Sequence, residues 1–387
     1  MRESDFLRNT EVPDGTFGEK EQRSMGNGFG RALKLTIFGE SHGEGIGCVI
    51  DGLPPGFAAD WDRVREEMTR RAPGNSDLAT PRKEKDAFRV LSGIFEGRTT
   101  GAPLAMEIRN ENKRSSDYDI LRDTMRPGHA DYTGRVKYKG FNDYRGGGHF
   151  SGRITAPLTF AGAVARQYLE TAGIRISAHI AEIHGIRDRT FDPMGEKEEI
   201  LSPLRAMKIP VLDGEAGERM EAEIRQYREK GDSVGGIIEC MAQGLPVGAG
   251  DPFFDSAESE IAHMMFSVPA VKGIEFGDGF GLAQRTGSEA NDPMAYEDGA
   301  PAILSNRNGG ILGGITNGNP LLFRLAVKPT PSIGQRQRTV SLAEGKDTLL
   351  SIGGRHDPCI VLRAVPVIEN ALAFVLLDTL MTGGLWK

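Results

Sequence analysis

Glycine limits the possible folds of this chain more than any other feature, since it occurs 51 times in 387 residues. Average usage is only about 7%. Many of these glycines form clusters: Gly146–Gly148, Gly235–Gly236, Gly309–Gly310, Gly313–Gly314 and Gly353–Gly354. Glycine adopts backbone conformations that other residues avoid, and it lets a ligand approach the backbone closely. The clusters therefore predict many tight loops that converge on a ligand, rather than a low-complexity chain.

Helical and strand-like segments alternate between these loops. Helical spacing of apolar residues occurs at 60–71, 156–170, 215–230, 255–266 and 364–381. Strand-like patterns occur at 33–38, 48–51, 89–95, 104–108, 174–186, 233–243, 271–276 and 321–327. This alternation predicts an α/β or α+β fold with mixed strand pairing. Residues 284–308 lack apolar periodicity and predict a long mobile loop.

The domain organisation follows from composition along the chain. Residues 1–27 are polar and aperiodic, and they contain a second methionine, Met25. They predict a disordered N-terminal extension. Residues 28–387 contain no stretch that resembles a linker, so we expect one domain there.

A basic segment lies near the middle of an acidic chain. Residues 126–153 hold six Lys or Arg and two Asp, whereas the whole chain has a formal net charge of −7. The segment also contains His129 and the glycine triplet, and the helical pattern at 156 follows it. Free N–H groups of glycines and a helix N-terminus favour a bound anion. The segment predicts a pocket for a small anion, although a solvated surface loop has the same composition and no P-loop motif is present.

Four other turns carry candidate functional groups. His42 lies between glycines, Arg71 ends a predicted helix, residues 328–332 place a lysine and two hydroxyls on a proline-rich turn, and residues 355–357 join an arginine, a histidine and an aspartate. These groups suit phosphate or flavin binding and proton transfer. Each also has an ordinary interpretation, as a solvated turn, a helix-dipole partner or a turn former.

Several function classes lose support. The sequence contains no G-x-S-x-G, CxxC or HExxH motif, and its three cysteines stand in apolar contexts typical of buried free thiols. Without a signal peptide or an apolar run of about 18 residues, we expect a soluble cytoplasmic protein with no membrane contact. The acidic charge argues against nucleic-acid binding. The function class that keeps support is acid–base catalysis on a small molecule with several negative charges.

Seven blocks of the chain resemble the chorismate synthase family, in the same order along the sequence. They are GESHG at 39–43, RPGHADYT at 126–133, DYRGGGHFSGRIT at 143–155, GDSVGG at 231–236, GGILGGITNG at 309–318, KPTPSI at 328–333 and GRHDPC at 354–359. The resemblance covers nearly the whole chain after residue 27.

The resemblance implies a reaction and an assembly. The family converts 5-enolpyruvylshikimate-3-phosphate to chorismate and phosphate by 1,4-anti elimination, the last common step of the shikimate pathway of aromatic amino acid biosynthesis. It requires reduced FMN without net redox change. A single-domain β-α-β-α sandwich and a homotetramer are implied as well. No extra domain is evident, so we expect an external flavin reductase to reduce the flavin at the expense of NAD(P)H.

The resemblance also implies roles for individual residues, and it implies no metal site. Proton transfer is expected of His42, His129 and Asp357. Substrate anions are expected to bind Arg71, Arg153 and Arg355. FMN is expected to contact Ser151, Pro269, Ala270, Gly313, Lys328, Thr330, Ser332 and Arg355, with Pro269 and Ala270 on a neighbouring edge that an adjacent subunit could share.

Two departures from the family pattern affect single contacts. Asp77 stands where many members have a second substrate arginine, so Arg82 or another cation would serve instead. His149 occupies the first position of a run that usually begins with arginine.

Two other function classes stay open: a protein that binds phosphorylated metabolites or flavin without catalysis, and a flavin oxidoreductase. The three proton-transfer groups argue against the first, and the lack of a dinucleotide fingerprint argues against the second.

Overall fold

The computed structural model describes residues 26–74, 78, 86–111, 115–352 and 357–386. Most of the predicted N-terminal extension, residues 1–27, lies outside the described residues. So do Arg355 of the predicted site and both residues of the first departure, Asp77 and Arg82.

Strands make up two main sheets and four small hairpins. In chain order they are β1 Gly28–Phe29, β2 Lys34–Gly39, β3 Gly45–Asp51, β4 Phe88–Ser92, β5 Ile94–Phe95, β6 Arg98–Thr99, β7 Leu104–Arg109, β8 Arg175–Ile183, β9 Ile186–Arg187, β10 Gly236–Gln243, β11 Val271–Phe276, β12 Met294–Glu297, β13 Ala300–Ile303, β14 Ile311–Leu312, β15 Ile315–Thr316, β16 Leu321–Val327, β17 Gln337–Ser341 and β18 Lys346–Leu350.

Helices fill the space around the sheets. The α-helices are α1 Trp61–Arg71, α2 Asp131–Lys137, α3 Thr155–Thr171, α4 Glu198–Leu204, α5 Gly214–Glu229, α6 Ala257–Ser267, α7 Gly287–Ala290 and α8 Val361–Thr382. Short 3₁₀ segments occur at Ser115–Arg122, Arg145–Phe150, Gly152–Ile154 and Gly279–Gln284.

Strand pairing is antiparallel in both main sheets, so the expectation of mixed pairing is wrong for the described residues. The first sheet has the order β1-β2-β3-β7-β4 and the second has the order β11-β16-β10-β8-β9. Tight connections explain the pairing: β2 and β3, for example, are joined by residues 40–44 alone, and so short a link permits only an antiparallel neighbour. The fold is therefore α+β.

The layers follow the predicted β-α-β-α order. Helix α3 packs on β2 and β3 of the first sheet, α8 packs on β8 and β10 of the second, and the two helices pack against each other. Helices α4 and α5 contact β8 and β9. Met241 of β10 packs with Leu201 and Leu204 of α4, whereas its neighbours Cys240 and Ala242 lie in the main core. Because successive strand residues point to opposite faces, α4 covers the outer face of the second sheet.

Helix α8 is the centre of the core. It is long and apolar enough to cross a membrane, but 94% of its most apolar window is buried inside the protein, as in the core helix of a globular domain. The Asp378 carboxylate, near its end, accepts hydrogen bonds from the backbone N–H groups of Arg31, Ala32 and Leu33 at 2.8–3.1 Å. The last helix thereby fixes the entrance to β2.

The local predictions agree with the structure where side chains face a core. The Asp60 side chain caps α1 by accepting from the backbone of Asp62 and Arg63, as its position before the helical pattern indicates. The prediction of a long mobile loop at residues 284–308 is wrong. They form α7 and the β12–β13 hairpin instead of an irregular loop. Much of this hairpin is exposed on both faces, so no apolar alternation reveals it.

The second sheet contains a buried ionic cluster. The His179 ring lies between two carboxylates, with Nδ1 2.9 Å from Asp188 Oδ2 and Nε2 2.9 Å from Glu239 Oε2. Burial opposes the charged imidazolium, but the bonds to both carboxylates raise the pKa of His179 above its ordinary value. The cluster ties the loop after β9 to β8 and β10.

Candidate active site

The glycine triplet at 146–148 bends the basic segment through a conformation that other residues resist. All three glycines have positive φ, at 60°, 84° and 54°. A Cβ added to Gly146 would lie 2.4 Å from Cδ2 of His42, and one added to Gly147 would lie 3.2 Å from Nε2 of His129. The missing side chains therefore let the backbone pass directly against two imidazole rings from distant parts of the sequence.

The β2–β3 turn holds the first of these rings. Ser41 donates its backbone N–H to the Gly148 carbonyl at 3.1 Å and its hydroxyl to the Gly146 carbonyl at 3.0 Å. These bonds fasten the turn to the triplet. His42 is buried, and its ring packs edge-on against Tyr118 with a centroid distance of 4.9 Å. The turn histidine is thus a packed, oriented group and not a solvated one.

The second ring is held by an acid–base cluster. Asp131 Oδ1 lies 2.7 Å from His129 Nδ1. The same carboxylate accepts two hydrogen bonds from the Arg126 guanidinium, each at 2.7 Å. Burial opposes ionisation of Asp131, but the bonds to Arg126 and the neighbouring His129 hold the pKa of its carboxyl well below its ordinary value. A permanent negative charge therefore faces Nδ1 of His129.

Residues 328–332 form the next wall of the site. The Lys328 ammonium donates to the Gly128 carbonyl, and Arg126 donates to the Ser332 hydroxyl at 3.3 Å. Thr330 Oγ1 is buried and has no hydrogen-bond partner within the described part of the chain. Such a hydroxyl carries a desolvation cost unless a ligand or water meets it. This turn therefore offers a lysine and an unsatisfied hydroxyl beside His129.

Pro269 and Ala270 lie beside the same turn. The Ala270 carbonyl accepts the backbone N–H of Lys328 at 2.9 Å, and Ala270 itself has a φ of 77°. Within one chain these residues already border the 328–332 turn. Gly313 lies at the tip of the β14–β15 hairpin. The adjacent Gly314 packs against Ser256 at the start of α6. The structure therefore brings Ala270 together with the 328–332 turn.

Two predicted substrate arginines meet at one carboxylate. Arg71 and Arg153 each form an ion pair with Asp86, which is buried. Arg71 also donates to the Thr155 hydroxyl at 3.3 Å, and Arg153 donates to the Asn110 side chain at 2.7 Å. Both guanidiniums are nearly enclosed, with 2% and 11% of the side chain exposed. Their position is set by packing as much as by charge.

Asn110 connects this arginine pair to the first imidazole. Its amide donates to the carbonyls of Glu40 and Gly43, at 2.9 and 3.2 Å, on either side of His42. Its side-chain oxygen accepts from Arg153. The amide therefore bridges the arginine pair and the β2–β3 turn, so the arginines and His42 belong to one cluster.

The remaining predicted residues lie around the edge of this cluster. Asp357 accepts from Arg363 at 2.6 Å, and Arg363 also donates to the backbone carbonyl of Arg71 at 3.1 Å. The Ser151 hydroxyl accepts the backbone N–H of Arg153 at 3.3 Å. His149 donates from Nδ1 to the Gly39 carbonyl, 2.8 Å away, since a carbonyl oxygen can only accept. Each of these side chains thus has a fixed orientation.

Comparison with known proteins identifies the family. The sequence profile described as "Chorismate synthase" matches residues 33–381. A chorismate synthase from Pyrococcus abyssi is 48% identical over 358 residues, which are 92% of this chain and 98% of the relative. The chain belongs to the chorismate synthase family. It is an enzyme of the lyase class, and the function of its family is the last common step of the shikimate pathway.

Other relatives of the chorismate synthase family agree. One from Dehalococcoides mccartyi is 46% identical over 361 residues, covering 93% of this chain and 98% of the relative. A solved structure entitled "Crystal Structure of Chorismate Synthase" has a TM-score of 0.72 at 29% identity, covering 92% of this chain and 93% of that one. The fold described above is therefore that of the family.

Sequence reasoning missed the residues that hold the others in place. Asp86, Asn110, Asp131 and Arg363 were not among the predicted site residues, yet each contacts one of them or the turn that carries it. Asp131 could have been found, because it lies two residues after His129 within the RPGHADYT block. Asp86 and Asn110 reach the site from distant segments, which no local pattern reveals.

Proposed function

We propose that the chain converts 5-enolpyruvylshikimate-3-phosphate to chorismate and phosphate by 1,4-anti elimination, with bound reduced FMN and no net redox change. One observation supports this most: two imidazoles from distant segments flank a glycine triplet that lies beside buried arginines. A site that only binds anions needs the cations, whereas proton transfer near neutral pH needs the imidazoles.

Family membership implies a reduced flavin, and the residues present fit one. Thr330 offers a buried hydroxyl without a partner, and Lys328 lies on the same turn. We assign Ser151, Pro269, Ala270, Gly313, Lys328, Thr330, Ser332 and Arg355 to the FMN site. When bound, reduced flavin supplies electron density that assists departure of phosphate and takes up the substrate hydrogen, which an ordinary side-chain base is too weak to remove.

The two histidines and Asp357 move protons in this proposal. The carboxylate of Asp131 favours a proton on Nδ1 of His129, which leaves Nε2, next to Gly147, to exchange a proton with ligand. We assign one imidazole to the flavin and the other to the departing phosphate. Asp357 is assigned to the flavin N5 and assists removal of its proton, with Arg363 holding the carboxylate in place.

The arginines bind the anionic groups of the substrate. Arg71, Arg153 and Arg355 are assigned to its carboxylate and phosphate groups. Guanidinium forks match these groups in geometry, and their charge stabilises phosphate as it leaves. Because Arg71 and Arg153 are already enclosed, little side-chain entropy is lost when they bind.

The decisive experiment is an anaerobic turnover assay. Purified protein is mixed with dithionite-reduced FMN and 5-enolpyruvylshikimate-3-phosphate, and chorismate absorbance is followed together with phosphate release. We expect equal amounts of both products, and none with oxidised FMN. For the His129→Ala variant in the same assay, His263→Ala is the matched control, since His263 is exposed on α6. Binding of flavin and substrate without product would reject catalysis and favour a binding protein.

We also propose an assembly and a source of reduced flavin. Large apolar side chains are exposed at Phe253, Phe254, Phe280 and Tyr296, each by 80% or more. Exposure of this kind marks contact surfaces and supports a homotetramer. The proposed setting is the cytoplasm, with an external reductase that uses NAD(P)H. Turnover sustained by NADPH and FMN with the purified protein alone would contradict external reduction, and a monomer in sedimentation would contradict the tetramer.

A further inference from the structure

The Asp86 carboxylate lies between two cations that the proposed function assigns to the substrate. Its Oδ1 accepts from Arg153 Nη1 at 2.8 Å, and its Oδ2 accepts from Arg71 Nη1. The side chain has no exposed surface. Each carboxylate oxygen therefore holds one guanidinium, and the distance between the two cations is fixed by a single rigid group.

Neutral oxygens hold other N–H groups of the same guanidiniums. Arg71 donates from Nε to Thr155 Oγ1 and from Nη2 to the Gly152 carbonyl, and Arg153 donates from Nε to Asn110 Oδ1. These bonds orient the forks but do not balance charge. Two like charges enclosed together repel strongly unless a carboxylate joins them.

The backbone at Asp86 is also unusual. Its φ is 43°, in the left-handed region that non-glycine residues seldom adopt. Asp tolerates this region better than most residues, but the conformation still costs free energy and persists only where surrounding contacts impose it. At Asp86 the side chain is bonded to both arginines.

We propose that Asp86 is the positioning residue of the anion site: it holds Arg71 and Arg153 at a fixed spacing and limits their combined charge. The three groups together carry one net positive charge, which attracts an anionic substrate group. Their fixed spacing favours a ligand with matching anionic groups over a simple anion. This inference rests on the proposed role of the two arginines in substrate binding.

The test compares two ligands, 5-enolpyruvylshikimate-3-phosphate and inorganic phosphate, by titration calorimetry. Asp86→Asn keeps the shape and removes the charge. We expect the preference for substrate over inorganic phosphate to fall about tenfold, because freed guanidiniums hold simple phosphate at least as well but lose the geometry for the substrate. Asp86→Glu keeps the charge but changes the spacing of the two arginines. For this variant the preference for substrate over inorganic phosphate should fall about threefold.

Two controls separate positioning from general loss of structure. Asp188→Asn removes another buried carboxylate, one that holds His179 in the second sheet, and should leave the preference unchanged. In an Arg153→Gln background, Asp86→Asn should have a smaller further effect, since Asp86 then holds Arg71 alone. Thermal unfolding shows which variants are folded. If Asp86→Asn does not fold, Asp86→Glu carries the test.

The outcomes distinguish this inference from the proposed function. An unchanged preference in folded Asp86→Asn, or an equal loss with and without Arg153, would refute positioning even if the wild type makes chorismate. A tenfold change that depends on Arg153 supports positioning even if the wild type binds substrate without turnover. Failure of the wild type to bind substrate would overturn both proposals.

Discussion

The contact between Gly146 and His42 gives the sharpest test of the candidate site. An alanine at 146 would place its Cβ 2.4 Å from the imidazole Cδ2, whereas ordinary contacts begin at 3.4 Å. The ring must therefore move by about 1 Å. The backbone also has a φ of 60°, which costs an alanine about 1–2 kcal/mol.

Gly345 provides a matched control for this substitution. Its φ is 61°, and an added Cβ there would meet nothing within 4 Å. It lies in the β17–β18 hairpin, outside the candidate site. Gly146→Ala and Gly345→Ala therefore carry the same backbone strain, and only the first displaces an imidazole.

In urea titrations we expect Gly345→Ala to lose about 1–2 kcal/mol of unfolding free energy, and Gly146→Ala to lose more, because it also displaces a packed ring. Only Gly146→Ala should lose activity, with kcat/KM in the anaerobic chorismate assay falling about 100-fold, because a 1 Å misplacement of a reacting group has an effect of this order. Equal activity of the two folded variants would show that the position of His42 does not matter to the reaction.

Three further predictions concern single side chains. Thr330→Val removes a buried hydroxyl without a partner, so the ligand-free protein should keep or gain stability in thermal unfolding, while FMN binding measured by fluorescence weakens about 3- to 10-fold; equal FMN affinity would remove Thr330 from the flavin site. His129→Ala should lower turnover by about 10²- to 10⁴-fold without abolishing FMN binding, and unchanged turnover would exclude the imidazole from the mechanism. His179 has a raised pKa, so its contribution to stability should be complete below its unfolded pKa of about 6.5 and disappear as pH rises through the folded value. Urea titrations of wild type and His179→Gln should therefore converge at alkaline pH, and a stability difference that grows with pH would contradict this sign.

Elements with a strong local pattern could be predicted from the sequence. The run of apolar residues in β16 marks this strand at its observed bounds, because most of its residues are buried, and β11 also matches its predicted bounds. The cap at Asp60 marks the start of α1. Strand direction could not be predicted in this way, because it depends on which strands meet in space. The β12–β13 hairpin has too little burial to leave a pattern.

The candidate site was predictable in its parts but not in its connections. His42 and His129 stand out as histidines beside glycines, and the triplet at 146–148 stands out by composition. The pairing of Arg71 and Arg153 through Asp86 joins three segments that are far apart in sequence, and only the folded arrangement brings them together.

Helix α8 and its Asp378 carboxylate determine when a newly synthesised chain can complete its fold. The helix separates the two sheets, and Asp378 holds the backbone at Arg31–Leu33, more than 340 residues earlier in the chain. The first sheet cannot take its final position before residue 378 has been synthesised. Until then, the apolar faces that α8 covers are open to solvent and to other chains. The core therefore closes only after α8 has been synthesised, and a chaperone that covers these faces until then would keep them from associating with other chains.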